Sequence, residues 1–361
     1  MNLPKALVCV VLSVAMPLSL NAQPTSKQDF QTVPVAEGIY AFIASESDSG
    51  VVQGNVILIV GDESALVVDS GQLPPLTRRM VAEIRKLTSK PVRLLVNTHW
   101  HGDHLLTDHI FRDAFPGLSL VAHSETRRLG EKNYATWPER VKEFPKMVAT
   151  LRERLNSGKK KDGTPLTDEE KLGYEADASA LEAVLPDLGD TRYTPADITF
   201  TQEITFYLGK REVKVMNLGR GNTPGDAVLW VPDAKVLITG DTVVFPTPYS
   251  FGSFHSEWIE VLNKMVGMNA AHIIPGHGPV MHDAAYLKTL VALLEDTRQQ
   301  VRTAVNDGLS LEDTRKRVTL AKWKDQLAGD DRYRRRAFTD FYLQPGIERA
   351  YKEAKGEPLA E

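Results

Sequence analysis

The chain has 361 residues, of which 42% are hydrophobic and 25% charged, and its formal net charge at pH 7 is −4. Such a length allows a large buried core and two or three domains, and the composition is that of a soluble globular protein. The acidic balance points away from nucleic acid and anionic membranes as partners. Basic clusters at Lys159-Lys160-Lys161 and Arg332 to Arg336 sit among acidic residues, as solvated helix faces or turns do.

At the N-terminus, Lys5 precedes an apolar stretch from Ala6 to Leu20, and Leu20-Asn21-Ala22 offers a small-residue cleavage site before Gln23. This predicts a secretory signal peptide over residues 1–22, short for a spanning helix and without a stop-transfer flank. An uncleaved anchor is the alternative. The expected location is periplasmic or secreted, with no stable membrane association after cleavage. Cys9, the single cysteine, lies inside this segment. The mature chain is therefore expected to have no thiol, which removes disulfides, cysteine nucleophiles and thiolate ligands together.

Strands are predicted at Gly38–Ile43, Asn55–Val60 and Ala65–Asp69, the last two joined as a hairpin by Gly61-Asp62-Glu63-Ser64. Leu76 to Leu87 has helical spacing, with Met80, Ile84 and Leu87 on one side. Val92–Asn97 reads as a buried strand and Leu118–His123 as another. From about Ser124 to Tyr193 charged residues rise and strand signals vanish. Helices are expected over Glu139–Asn156 and from the capping box at Thr167 to about Leu185. Residues 124–195 thus read as a helical insertion, either a lid or a structural flap. Strands resume at Glu203–Leu208, Glu212–Leu218, Ala227–Val231 and Lys235–Thr239. After Pro279 the pattern is helical, from Tyr286–Val305 through short helices to about Lys355. The expected organisation is a domain over 30–290 and a C-terminal helical extension over 291–361.

The chemistry concentrates in His99-Trp100-His101-Gly102-Asp103-His104, just after the buried strand. Imidazole and carboxylate are the donors that zinc and similar borderline metals prefer. Donors at positions 1, 3, 5 and 6 cannot all reach one ion, but the first pair can face one metal and the second pair another. The competing reading, a histidine-rich surface loop, is a poor match for four ligand-type residues at this spacing. Three later loops each place a candidate ligand beside glycine at a strand terminus. They are Gly219 to Asp226, Gly240-Asp241-Thr242, and Pro275-Gly276-His277-Gly278. Taken singly they are weak, because a strand-end Asp is usually a turn former and a lone His usually packs.

In this order the motifs resemble the metallo-β-lactamase superfamily, over roughly Val33 to Leu290. The resemblance implies an α/β (α+β) fold, a four-layer αββα sandwich with a metal site along one edge, here carrying a helical insertion and C-terminal helices. It also implies a hydrolase holding one or two zinc ions. Site one would use His99 and His101; site two would use Asp103, His104 and His277; Asp241 would bridge them. Asn222 stands where the family usually has a histidine. An amide is the weaker zinc donor, so site one is expected to be weak, or Asn222 orients a neighbouring group or binds substrate.

A metal-bound water is ionised near pH 7 and can attack a carbonyl centre, or a phosphoryl centre as the less favoured case. Asp103 and Asp241 are the expected catalytic carboxylates, and the substrate a small ester, thioester, lactone or lactam. The aromatic- and proline-rich stretch Val243 to His255 is expected either to wall a pocket or to pack in the core. Arg220, Asn222 and His255 are the candidate substrate contacts, with Arg220 as a carboxylate clamp. Two other readings compete. A mononuclear non-haem iron oxygenase of the same fold would use two histidines and a carboxylate. A catalytically degenerate metal- or ligand-binding protein would have lost its activity through Asn222.

Overall fold

The computed structural model describes residues 29–47 and 51–359, so the expected signal peptide and Cys9 lie outside the described residues. Strands β1 (Phe30–Ala36), β2 (Ile39–Ala44), β3 (Val56–Val60), β4 (Ala65–Val68), β5 (Val92–Asn97), β6 (Ser119–His123) and β7 (Ile198–Phe200) form one sheet in that spatial order. Pairing is antiparallel from β1 to β4 and parallel from β4 to β7. The second sheet contains β8 (Glu203–Tyr207), β9 (Glu212–Met216), β10 (Val228–Val231), β11 (Val236–Val244) and β12 (His272–His277), in the order β12-β11-β10-β9-β8. Only its β11–β12 pair is parallel.

Burial on both faces explains why β3 and β4 are apolar at every position. Ile57, Ile59, Leu66 and Val68 point into a core between the sheets, where they meet Val213, Val215, Leu229, Ile238 and Ile274 of the second sheet. Their alternates Val56, Leu58, Ala65 and Val67 pack outward against Leu76, Met80 and Ile84 of α1 (Pro74–Leu87) and against Ile110 and Phe111 of α3 (Asp108–Ala114). α2 (Gly102–Leu105) is a single turn before α3. On the far side, α7 (His255–Gly267) and α8 (Ala285–Asn306) place Trp258, Leu262, Leu290 and Leu294 on the outer face of the second sheet. Four layers, helix–sheet–sheet–helix, are the result.

Helices α4 (Ser124–Tyr134), α5 (Trp137–Ser157) and α6 (Asp168–Leu188) occupy the segment read as an insertion, and Thr167 with Glu170 forms the expected capping box. Its root packs on the histidine loop: Trp137 and Tyr134 join Trp100, Leu105 and Leu106 in one cluster. The end of the chain is helical, with α9 (Leu311–Arg317), α10 (Ala321–Ala328), α11 (Arg332–Ala337), a π-helical turn over Phe338–Leu343 and α12 (Gln344–Lys355). None of these helices is long and apolar enough to cross a membrane.

Several elements differ from the sequence reading. β1 was not expected, and the apolar stretch ending at His255 leads into α7, whose apolar positions bury against the second sheet. β11 does not stop at Thr239. Gly240 takes a left-handed backbone (φ +50) and shifts the register, after which pairing with β12 resumes at Val244 and His277. β12 likewise continues through Pro275-Gly276 to His277. Asp241 and His277 therefore stand on neighbouring strands rather than on free loops.

Ile238 is 1% exposed and central to the core between the sheets. Ile238→Ala is expected to lower unfolding free energy by about 2–5 kcal/mol through lost transfer energy and a residual cavity. Denaturant titration should show a lower midpoint at unchanged slope; a loss below the bottom of that range would mean the two sheets are not packed as described.

Candidate metal centre

Just after β4 stands Asp69, a residue in left-handed backbone (φ +58), a conformation aspartate tolerates better than most side chains. Its buried carboxylate accepts from Thr98 N (2.7 Å), Thr98 Oγ1 (2.8 Å) and His104 Nδ1 (2.8 Å). Because Thr98 Oγ1 donates to Asp69, it must accept from His99 Nδ1, 3.0 Å away. Both histidines are thereby held with a proton on Nδ1, leaving the Nε2 lone pair for another partner. Asp69 thus orients two ligand-type residues at once, a role the sequence reading missed by taking it only as the end of a strand.

The Nε2 atoms turn toward two acidic groups. His104 Nε2 lies 3.2 Å from Asp241 Oδ1 and 3.4 Å from Asp103 Oδ2. His277 Nε2 lies 3.0 Å from Asp103 Oδ2, 3.5 Å from Asp241 Oδ1 and 3.3 Å from His104 Nε2. His99 Nε2 is 3.0 Å from His101 Nδ1 and 3.7 Å from Asp241 Oδ2. Two donor groups emerge, Asp103–His104–Asp241–His277 and His99–His101–Asp241, with Asp241 in both. Gly276 makes room for this arrangement, since a Cβ there would fall 2.0 Å from Asp241 Oδ1.

These spacings suit a metal ion. Tetrahedral zinc with bonds of 2.0–2.2 Å needs donors roughly 3.3–3.6 Å apart. Asp241 Oδ1 is buried and makes no well-aligned hydrogen bond among the described residues; only His104 Nε2 and His277 Nε2 approach it, at 3.2 and 3.5 Å, as shared ligands of one cation would. Burial opposes charge on every member. Even so, Asp241 and Asp103 push His277 up to about 9, and the histidines hold Asp103 and Asp241 below the usual carboxylate range. Burial instead holds His99 and His101 below the usual imidazole value, so the Asp103–His104–His277 side is the more basic.

Asn222 belongs to the loop between β9 and β10. The Asp226 carboxylate staples that loop by accepting from Gly221 N, Thr223 N and Thr223 Oγ1. The bond from Ala227 N to Thr98 O pins the loop beside the histidine segment. Asn222 is fully buried, and neither of its amide atoms has a partner among the described residues.

The other two candidate substrate contacts, Arg220 and His255, have protein partners away from the two donor groups. Arg220 grips Glu257 on the surface of α7 and lies over the Phe254 ring. His255 is buried in the first turn of α7, with Nε2 on Ser250 Oγ (2.8 Å) and its ring stacked on Tyr342. These contacts join it to the C-terminal helices. A cavity of about 340 Å3 opens beside His277 instead, walled by Phe245, Pro246, Thr247 and Tyr249 after β11, and by Tyr333 and Phe341 from the chain end.

Residues 49–277 match the family described as the metallo-beta-lactamase superfamily. A linear primary-alkylsulfatase from Pseudomonas sp. is 24% identical over 73% of this chain. The chain spans about half the length of that relative, 49%. A type 2 metallo-beta-lactamase from Bacteroides fragilis is 20% identical over 75% of this chain and 89% of its own. Among solved structures, the stereoselective inverting sec-alkylsulfatase from Pseudomonas sp. overlays with a TM-score of 0.60 at 15% identity, covering 90% of this chain and 50% of that one. A metallo-beta-lactamase from Pontibacter korlensis overlays at 0.52 with 18% identity, covering 74% and 99% respectively.

Two substitutions test this geometry through metal content. Asp69→Ala frees both imidazoles and is expected to weaken zinc binding about 10–100-fold in a chelator competition; an unchanged affinity would show that Asp69 does not position the donors. Asn222→His is expected to raise zinc stoichiometry toward two by elemental analysis, and no change in stoichiometry or affinity would show that Asn222 does not weaken the His99–His101–Asp241 group.

Proposed function

The chain belongs to the metallo-β-lactamase superfamily, and on that premise we propose that it is an exported zinc hydrolase acting on a small ester, thioester, lactone or lactam. One observation carries the reading. Six imidazole and carboxylate side chains from three separated segments converge into two donor groups sharing Asp241, beside a cavity sized for a small molecule. Site two would be held by Asp103, His104, His277 and Asp241, and site one by His99, His101 and Asp241. When bound, zinc in such a set lowers the pKa of a coordinated water to about 7 and so supplies hydroxide at neutral pH.

The chain's own groups do the positioning. Asp69 and Thr98 fix the imidazole orientations, so the donors need little rearrangement when charge develops. Asp241, shared by both donor groups, could also orient a water or take its proton. Phe245, Tyr249 and Phe341 give the cavity an apolar flank beside His277. Export rests on the apolar leader Ala6 to Leu20.

A sulfate ester is the second reading. It is favoured by the extent of the sec-alkylsulfatase overlay, which at 90% of this chain takes in C-terminal helices as well as the sandwich.

Metal analysis joined to a hydrolysis screen over lactams, lactones, thioesters, carboxylic esters, phosphodiesters and sulfate esters tests the proposal. The expected result is stoichiometric zinc, activity lost to a chelator and restored by zinc, and a drop on the order of 10³ in kcat for Asp103→Ala. Metal content near zero with no turnover in any class would mark a degenerate binding protein. Iron together with dioxygen-dependent turnover would establish an oxygenase instead.

A further inference from the structure

The cavity beside His277 has a wall that the sandwich alone does not provide. α11 and the π-helical turn contribute Tyr333, Arg334, Ala337 and Phe341 to it. Besides His277, the lining among the described residues has two charged side chains, Glu46 just after β2 and Arg334, and they grip each other. Arg334 Nε donates to Glu46 Oε1 and Nη2 to Oε2, each at 2.7 Å. This is the two-pronged geometry with which a guanidinium takes a carboxylate or another oxyanion. The run Arg332 to Arg336 is therefore more than a solvated face. Arg335 pairs with Asp325 and Arg336 with Asp177 and Asp340, whereas Arg334 is the member turned to the cavity.

The pair is wet, with side-chain exposures of 40% for Arg334 and 48% for Glu46. Exposed ion pairs usually contribute little to folding, the two-pronged Arg–carboxylate pair being the geometry that can contribute more. Arg334 is also anchored from its backbone, where its N–H donates to the Asp331 carboxylate that caps α11. A guanidinium with an exposed carboxylate partner, in a cavity whose described lining is otherwise apolar or neutral apart from His277, is a receptor already filled by a group of the shape it recognises.

We propose that Arg334 is a specificity-determining residue that takes a carboxylate or similar oxyanion carried by the substrate away from the bond being cut, and that Glu46 is the internal occupant this group displaces. The inference rests on the hydrolase reading of the site, and it narrows the substrate class. The preferred substrate has an apolar body lying against Phe245, Tyr249 and Phe341 and an anionic group reaching Arg334. The displaced Glu46 carboxylate stays near the incoming anion and opposes it, so removing its charge strengthens binding.

Calorimetric titration of the whole protein, as purified, with 4-phenylbutyrate and with 4-phenylbutan-1-ol tests this without turnover. The two probes share an apolar body and differ in the carboxylate. The acid is expected to bind roughly tenfold tighter than the alcohol. Arg334→Ala should abolish that preference and leave the alcohol unchanged, and Arg334→Lys should keep only part of it. Glu46→Gln should tighten the acid alone, which preserves the test if an Arg334 variant folds poorly. No preference for the acid in the unmodified protein, or one that survives Arg334→Ala, as it would if the acid bound at the metal donors, overturns the assignment. Weaker acid binding in Glu46→Gln would overturn the displacement. Arg334-dependent acid binding in a protein that hydrolyses nothing would sink the hydrolase reading and keep the anion site, and hydrolysis without that preference would do the reverse.

Discussion

Three hydrogen bonds to the buried carboxylate of Asp69 hold the donor arrangement together. They come from Thr98 N, Thr98 Oγ1 and His104 Nδ1, and through Thr98 they also set the ring of His99. An imidazole offers a metal one lone pair, and its tautomer decides which nitrogen carries that pair. Without a fixed acceptor on Nδ1, His99 and His104 would each sample two tautomers and several ring orientations inside a buried pocket. Removing the carboxylate would strand a buried backbone N–H, a hydroxyl and an imidazole N–H, each costing on the order of 1–3 kcal/mol. Burial drives the pKa of Asp69 up, against the pull of His104 and Thr98. A carboxylate kept in so unfavourable a place, with both oxygens engaged, is there to organise its neighbours.

The second requirement is that two sheets end at the same edge. The histidine loop leaves β5 of the first sheet, whereas Asp241 and His277 come from β11 and β12 of the second. Asn55, the residue before β3, stitches these ends. Its backbone N–H donates to Gly276 O, and its side-chain amide donates to Pro275 O and Gly278 O while accepting from Ala44 N. Every hydrogen-bonding position of that amide but one lone pair is used, which leaves the strand ends little freedom to drift. The apolar core between the sheets sets their separation, and Asn55 sets their register at the rim where the donors meet.

Much of this was legible in the chain. Continuous apolar runs such as Val56–Val60 signal strands covered on both faces, and the spacing His99-x-His101-x-Asp103-His104 signals metal chemistry before any fold is considered. What escaped has physical causes. β1, with its polar and proline-interrupted sequence Phe30-Gln31-Thr32-Val33-Pro34, lies at a sheet edge where burial is partial and alternation faint. Asp241 and His277 read as loop residues because glycine and proline around them look like breakers, whereas a left-handed Gly240 lets the strand run on past a register shift. His255 and Arg220 look like free functional groups in sequence, since nothing local reveals that Ser250 and Glu257 already partner them. Asp69 is the clearest case: its partners lie 29 and 35 positions away, and only folding brings them together.

The two donor groups are unequal, and the inequality follows from their chemistry. The Asp103–His104–His277 side adds a carboxylate of its own to the shared Asp241, so a divalent cation there meets two negative charges and two imidazoles. The His99–His101 side has only the shared carboxylate, and where the superfamily usually supplies a third imidazole this chain has the neutral amide of Asn222. Coulomb attraction in a buried site far exceeds that in water, so a deficit of one donor and one charge separates the two affinities strongly. A cation on the richer side would further polarise Asp241 and reduce what it offers the poorer one. Asn222 has both amide atoms buried without a partner among the described residues, so the amide gains only if a bound group comes to meet it.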